Sequence, residues 1–344
     1  MVNDMSFKFK FQKKFLFSLL LGGLFISFAD ADSLSSIKEQ FKRPTVIPFP
    51  QDNPYTPEKA ALGKMLFFDP RLSRDQNFNC ASCHNPSFGW EVPLAKAIGA
   101  GAKPLERQAP TVLNHAWGNA FFWDGRAKSL EEQAKGPIQS PFEMALPLNT
   151  AVERLNKLEG YRRAFTKAFP KEGLTTQTIL KAISTYERTL ISGEAPFDRW
   201  IKGDEQAMSS SAKRGFSLFI GKARCILCHY GWRLTDDQFH DIGSFQSLDQ
   251  GRYKVTHNPK DMYAMKTPSL REIAQRAPYM HDGGLQSLEA VIIHYVTGGK
   301  KRATLSPLMQ PIALNPAEIQ DLIDFMKNLS SKNTQPTLPT LPSY

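Results

Sequence analysis

The sequence predicts a mainly α-helical protein of two similar domains joined through long loops. Three observations carry that expectation. Apolar residues recur at helical spacing in several segments, a helix leads into a Cys-x-x-Cys-His segment twice, and no stretch alternates as a strand would. At 344 residues the chain is long enough for two ordinary domains, each with its own core.

The opening residues stand apart from that fold. Lys8, Lys10, Lys13 and Lys14 precede the apolar run Phe15 to Phe28, and Ala29-Asp30-Ala31 offers a small-x-small cleavage pattern. The run is short for a membrane span, so residues 1–31 are expected to be a cleaved secretory signal peptide, with a retained N-terminal anchor as the alternative. The mature chain is expected outside the cytoplasm and not spanning a membrane. Residues 32–55 read as an extended, proline-containing lead-in.

Thr56-Pro57-Glu58 is a helix start, a capping residue followed by proline at the first helical position. Leu62, Met65, Leu66 and Phe67 give that helix its apolar side. From Cys80 to about Pro147 the chain is rich in Gly, Pro, Asn and aromatics, the texture of loops wrapped around a cofactor. Helices are expected from Thr150 to Phe169 and from Thr176 to Ile191, where Ile179, Ile183, Tyr186 and Leu190 share a face. The polar stretch Lys202 to Ser211 suggests a boundary between a domain of residues 56–203 and one of 204–330. A helix over 211–220 leads into the second Cys-x-x-Cys-His segment. Asn315-Pro316-Ala317-Glu318 opens a closing helix with a capping box. The Pro/Thr/Ser-rich tail 331–344 is expected to be disordered.

The four cysteines occur as Cys80-Ala81-Ser82-Cys83-His84 and Cys225-Ile226-Leu227-Cys228-His229. In an exported protein four cysteines would ordinarily suggest two disulfides, or a zinc or redox site. Equal spacing, an immediately following His in both, and no cysteine left over point instead to two covalently attached c-type haems. Two residues between the cysteines let one turn meet both vinyl groups, and the adjacent His reaches the iron as proximal ligand. A helix before the motif and another closing the domain form the pattern of a small cytochrome c domain, here twice.

The formal charge is +10, and removing residues 1–31 takes away four Lys and two Asp, leaving it positive. Haem propionates lower it further. A basic surface favours acidic partners and salt-sensitive encounters. With export and two haem motifs it argues against nucleic acid as a partner.

Further segments are specific. They are Leu62-Gly63-Lys64 through Phe68-Asp69-Pro70, Arg107-Gln108-Ala109-Pro110-Thr111, Phe122-Trp123-Asp124-Gly125-Arg126 and Leu130-Glu131-Glu132-Gln133-Ala134 in the first half. In the second are Thr267-Pro268-Ser269-Leu270-Arg271, Ala277-Pro278-Tyr279-Met280-His281-Asp282-Gly283 and His294-Tyr295-Val296-Thr297-Gly298-Gly299. Over roughly residues 45–330 the chain resembles the bacterial dihaem cytochrome c peroxidase and MauG superfamily.

The resemblance implies a periplasmic enzyme in which the haem of His84 is the reaction site for hydrogen peroxide and the haem of His229 passes electrons or shares oxidising equivalents. It implies Glu131 as the distal carboxylate, an acid–base group for breaking the peroxide bond, against a solvated-helix role. Arg126 would hold a propionate or support that pocket, or pair with Asp124. Trp123 and Trp117 are candidates for carrying oxidising equivalents between the haems, or simply core residues. His281 is a candidate propionate partner. His115, His240 and His257 read as structural or surface residues.

Three departures from the peroxidase pattern matter. Where many relatives have a ligating His, Ile98-Gly99-Ala100-Gly101 offers a methyl group, so the first iron is expected to stay open in every redox state. The second axial ligand, usually Met, aligns with Tyr295, with neighbouring His294 as the alternative; a phenolate is a harder donor and lowers the potential. A Gln that often precedes the Phe-Trp-Asp-Gly-Arg segment is Phe121, which is expected to make the distal pocket more apolar. In addition, the Asn that binds calcium between the domains in relatives is Gln108, whose amide oxygen sits one methylene further out.

Three functions compete. The first is a peroxidase fed by a small cytochrome or cupredoxin. The second is a MauG-like enzyme oxidising Trp or Tyr of a partner protein through a high-valent state shared by both haems. The third is a dihaem electron carrier without catalysis. Ala100 and Glu131 speak against the third, and Ala100 with Tyr295 favours MauG-like chemistry.

Overall fold

The computed structural model describes residues 35–244, 249–332 and 335–343. The signal segment, and residues 32–34 of the lead-in, lie outside the described residues. Residues 38–344 form one compact unit, and it is mainly helical, as expected. Its helices of more than one turn are α1 (Pro57–Phe67), α2 (Leu130–Gln139), α3 (Leu148–Asn156), α4 (Glu159–Ala168), α5 (Thr176–Thr189), α6 (Pro196–Ile201), α7 (Ser210–Ile220), α8 (Leu288–Thr297) and α9 (Pro316–Lys327). Strand structure among the described residues is slight. β1 (Ile98–Gly99) pairs antiparallel with β2 (Lys103–Pro104), and β3 (Phe239–His240) with β4 (Met265–Lys266).

Two bundles repeat one packing device. The Thr56 side chain caps α1, accepting from Lys59 N, and Pro57 takes the first helical position. α1 then crosses α5 with Gly63 against the backbone of Ala182; a Cβ at Gly63 would lie 1.9 Å from Ala182 O. In the second bundle α7 crosses α9 with Gly215 against Asp321, where a Cβ would again lie 1.9 Å from the carbonyl oxygen. Around the first crossing Leu62, Leu66, Tyr161, Phe165, Ile179 and Ile183 form an apolar core. Around the second, Phe216, Phe219 and Phe325 pack edge to face, with ring centroids 5.0–5.5 Å apart.

A second repeat runs through the loops. Residues 110–138 match 268–296 without a gap, pairing Pro110 with Pro268, Asp124-Gly125 with Asp282-Gly283, and Ser129-Leu130-Glu131 with Ser287-Leu288-Glu289. The backbone echoes it. Asn114 and Glu272 are both left-handed, as are Phe122 and Met280. The bridge Phe121–Ala127 answers Tyr279–Leu285, and Ser129 and Ser287 cap α2 and α8.

Several expectations are corrected. The helix expected over 150–169 is two helices, because Leu158 is extended at φ −101°, ψ 113° and turns its side chain into the core. The lead-in contains a helical stretch (residues 35–40). It also contributes Phe41 to the second core, 5.6 Å from both Phe197 and Phe216. α6 packs there too, through Phe197 and Trp200. The tail is extended and docked: Glu272 accepts from Ser331 N and Oγ at 2.9 and 2.8 Å, and Arg71 Nη1 donates to Pro342 O at 2.7 Å. Backbone carbonyls and small side chains held by fixed partners order a segment whose composition alone suggests none.

Gly63→Ala forces a methyl into a carbonyl and is expected to destabilise the protein by about 1–3 kcal/mol, read as a lower denaturant midpoint. An unchanged midpoint would show that α1 can slide on α5.

Candidate active site

The first candidate site is a cavity in the first bundle. Asn79 caps the single helical turn Cys80–Cys83 through a capping box with Ser82, and His84 ends it. Cys80, Cys83 and His84 all line the cavity. The thiols are free, with no disulfide between them, and burial pushes that of Cys83 up to about 11. Burial likewise pushes His84 down to about 4, against the pull of the Trp90 and Pro110 backbone, which keeps it neutral and able to ligate. Two unpaired thiols and a neutral imidazole on one turn, facing an apolar cavity, fit a covalently attached haem and not a disulfide framework.

The cavity wall from residues 98–105 is zipped to the turn after α2. Ala100 N donates to Glu143 O at 2.9 Å, and a Cβ at Gly99 would lie 1.9 Å from Phe142 O. Ala100 itself is buried behind this wall and does not line the cavity. Besides Asn79, the polar side chains lining the cavity include Gln133 on α2, with Pro137 one turn on, Glu143 after that helix, and Glu187 on α5. Burial raises the carboxyl of Glu143 above its ordinary pKa, against the nearby charge of Arg126 and a hydrogen bond from Ser140. Glu187 is buried, its Oε2 has no hydrogen-bond partner, and burial pushes it up to about 8.

Glu131 does not line this cavity, and that expectation is corrected. Its carboxylate accepts from Arg188 Nη1 and Nη2 at 2.7 and 2.9 Å and from Asn53 Nδ2 at 2.9 Å. Burial would raise its pKa, but these hydrogen bonds outweigh burial and hold it below the ordinary value. Asn53 also donates to Lys181 O, so Glu131 ties the lead-in to α2 and α5. The distal assignment had only the motif to rely on, and the side chain on that turn of α2 points to Arg188. Phe121 is corrected too: it packs with Ala127 and Leu130 outside the cavity, so the cavity keeps an amide, that of Gln133. Arg126 pairs with Asp124 at 2.9 Å and lies 3.5 Å over the Phe122 ring.

The second site is a larger cavity in the other bundle, lined by Cys225, Cys228, His229 and Tyr295. His229 Nδ1 lies 2.8 Å from Leu234 O, an arrangement that leaves Nε2 for a metal. Tyr295 on α8 is half-buried, and desolvation of its phenol, with the Cys225 and Cys228 thiols beside it, raises the pKa, so only a neighbouring cation would favour its anion. His294 turns elsewhere, with Nε2 2.9 Å from Ile242 O. By the loop repeat, the position of Tyr295 on α8 is that of Pro137 on α2.

Trp123 and His281 line the second cavity with ring centroids 6.3 Å apart, and Trp123 Nε1 donates to Gln108 O at 2.8 Å. Trp117 lies apart, against Trp232. Gln108 donates its amide to Glu91 Oε2 at 2.7 Å, and Arg276 Nε donates to Glu91 Oε1 at 2.7 Å. These side chains supply fewer oxygens than the six to eight calcium takes, so they do not by themselves make a calcium site. His240, read as structural or surface, also lines the cavity; Asp236, 2.8 Å from its Nε2, raises it to about 10. His115 is half-buried and packs edge-on against Phe121, and His257 lies against Tyr253.

Glu143, Gln133, Pro137 and Glu187 were missed from the sequence. The loop repeat is the signal that points to them: Glu131 has a counterpart, Glu289, in the other half and is scaffold by that test, whereas Glu143 follows the repeat and has none.

Glu131→Gln leaves buried Arg188 without its counter-charge and is expected to cost about 3 kcal/mol of stability. Because its folded pKa is depressed, the stabilisation is present above the ordinary carboxylate range and fades as pH falls through the folded value. Chemical unfolding at neutral and acid pH checks both; a variant as stable as wild type would make the pair incidental.

The profile of the family described as di-haem cytochrome c peroxidase matches residues 57–206, and that of cytochrome c matches residues 212–330. The chain is 51% identical over 319 residues to methylamine utilization protein MauG of Methylorubrum extorquens, covering 91% of this chain and 90% of that one. It is 34% identical to cytochrome c551 peroxidase of Pseudomonas aeruginosa, covering 94% and 95%. Among solved structures, a MauG-like protein associated with microbial copper homeostasis superposes with TM-score 0.79 at 32% identity, over 84% of this chain and 95% of that one. Two haem-type cavities on a duplicated helical frame and these similarities lead to one conclusion: the chain belongs to the dihaem cytochrome c peroxidase and MauG family, on its MauG-like branch, and is a haem oxidoreductase that carries two c-type haems.

Proposed function

We propose that this is a periplasmic, MauG-like enzyme that activates hydrogen peroxide in the first cavity and passes the oxidising equivalents, through the second, to a protein partner. The observation that carries the reading is the inequality of two equivalent positions: Pro137 beside His84's cavity and Tyr295 beside His229's. A proline ring has no atom to offer a metal, whereas a phenol has one.

In this reading Cys80 and Cys83 hold one haem by thioether bonds with His84 as proximal ligand. Cys225 and Cys228 would hold the other, with His229 and Tyr295 as the side chains that could ligate its iron. Bound haem supplies a redox-active iron able to take two oxidising equivalents from peroxide. Glu143 accepts a proton from one peroxide oxygen and returns it to the other, a task suited to a carboxyl whose pKa burial has raised. Gln133 donates a hydrogen bond that orients the peroxide. The positive charge of Arg126 partly offsets the effect of burial on Glu143.

Identity to proteins named for methylamine utilization supports a protein partner in amine oxidation. The peroxidase reading, with electrons delivered by a small cytochrome or cupredoxin, uses the same first cavity and is the alternative. Both place the mature chain in the periplasm, on the strength of the residue 1–31 segment, and no described helix is long and apolar enough to cross a membrane.

Glu143→Gln is expected to retain both haems and lose about 10²–10⁴-fold in peroxide reactivity. Since the base form does the work, wild-type reactivity should climb as pH passes a midpoint above the ordinary carboxylate range. Full activity in Glu143→Gln would move the acid–base role elsewhere. Tyr295→Met should raise the reduction potential of one haem and leave the other in place; potentiometry showing no shift would remove Tyr295 as a ligand.

A further inference from the structure

Trp117 and Trp232 meet where the two bundles adjoin, one ring from each, with centroids 4.7 Å apart and planes at 80°. Neither lines a cavity, and both are partly exposed. Trp117 closes the single turn His115–Trp117, whose His115 is among the groups around His84. Trp232 lies between His229 and Leu234, the residue whose carbonyl faces His229 Nδ1. Its backbone is fixed by Arg271, which donates Nε to Trp232 O at 2.6 Å. The pair therefore joins the segments adjoining the two histidines by a path separate from Trp123, which faces the second cavity.

We infer that Trp117 and Trp232 form a one-electron relay between the bundles that supplies electrons when peroxide has reacted and no external donor is bound. The inference rests on the peroxide reading of the first cavity. Indole is among the most easily oxidised side chains, and two indoles in contact place donor and acceptor at van der Waals distance. The step balances: each indole gives one electron and releases its Nε1 proton to water, and two such electrons and protons convert hydrogen peroxide to two waters, leaving two neutral indolyl radicals. The Arg43 guanidinium sits 5.5 Å from the Trp232 ring. Its charge opposes loss of an electron there, so Trp117 is the preferred resting place of the oxidation.

The test treats the two-haem protein with hydrogen peroxide and no donor, in the presence of a nitroso spin trap, and maps adducts by peptide mass spectrometry. Adducts are expected on Trp117, fewer on Trp232, and none on Trp200, which is buried among Phe197 and Phe216. Trp117→Phe and Trp232→Phe, which keep the aromatic contact, should each slow the return of the oxidised protein to its resting spectrum several-fold with haem content unchanged. Peroxide consumed with neither indole trapped, or recovery at the wild-type rate in both variants, overturns the relay. Peroxide left unconsumed overturns the reading of the first cavity, and the relay with it.

Discussion

The backbone of α1 lies directly on that of α5 at Gly63, and the backbone of α7 on that of α9 at Gly215. Both approaches leave no room for a methyl group. Everything else in each bundle is arranged around that contact. It fixes the angle between the helix leading into the Cys-x-x-Cys-His turn and the helix closing the domain, and so holds open the cavity the turn faces. Ile183 and Glu187 reach the first cavity from the same helix that crosses Gly63. The apolar cores around the crossings then lock the geometry, since close-packed interiors deform little.

Duplication supplies two frames, and small differences give them unequal chemistry. The loop and helix carrying Tyr295 over one cavity carry Pro137 over the other, with the same turns, bridge and helix cap before them. One site is provided with a side-chain donor and its twin with polar groups, Gln133 and Glu143, that can act on a small bound molecule.

Three carboxylates near the first cavity show how environment assigns roles. Glu131, gripped by Arg188 and Asn53, is held ionised and serves as a tie between the lead-in and the helices. Glu143, half-buried with Arg126 at a distance, has its pKa raised and faces the cavity. Glu187, buried with an oxygen lacking any partner, is pushed furthest. The residue type is the same in all three; burial raises each, and only Glu131 has direct hydrogen bonds from a cation and an amide that outweigh it.

Much was legible from local pattern. The two Cys-x-x-Cys-His turns, the caps at Thr56 and Asn315 and the placing of Tyr295 rather than His294 in the second cavity all depend on residues adjacent in sequence. The role of Glu131 was not legible, because its partners Asn53 and Arg188 come from distant segments and a motif does not record which way a side chain turns. Phe121, the docked tail, and Phe41 in the second core failed for the same reason. The amino-acid sequence alone determined the helical class, the duplication and the two haem attachment points, since these follow from spacing along the chain. Tertiary structure alone decided which carboxyl enters the cavity and which stays salt-bridged, because burial and ion pairing are set by residues that only folding brings together.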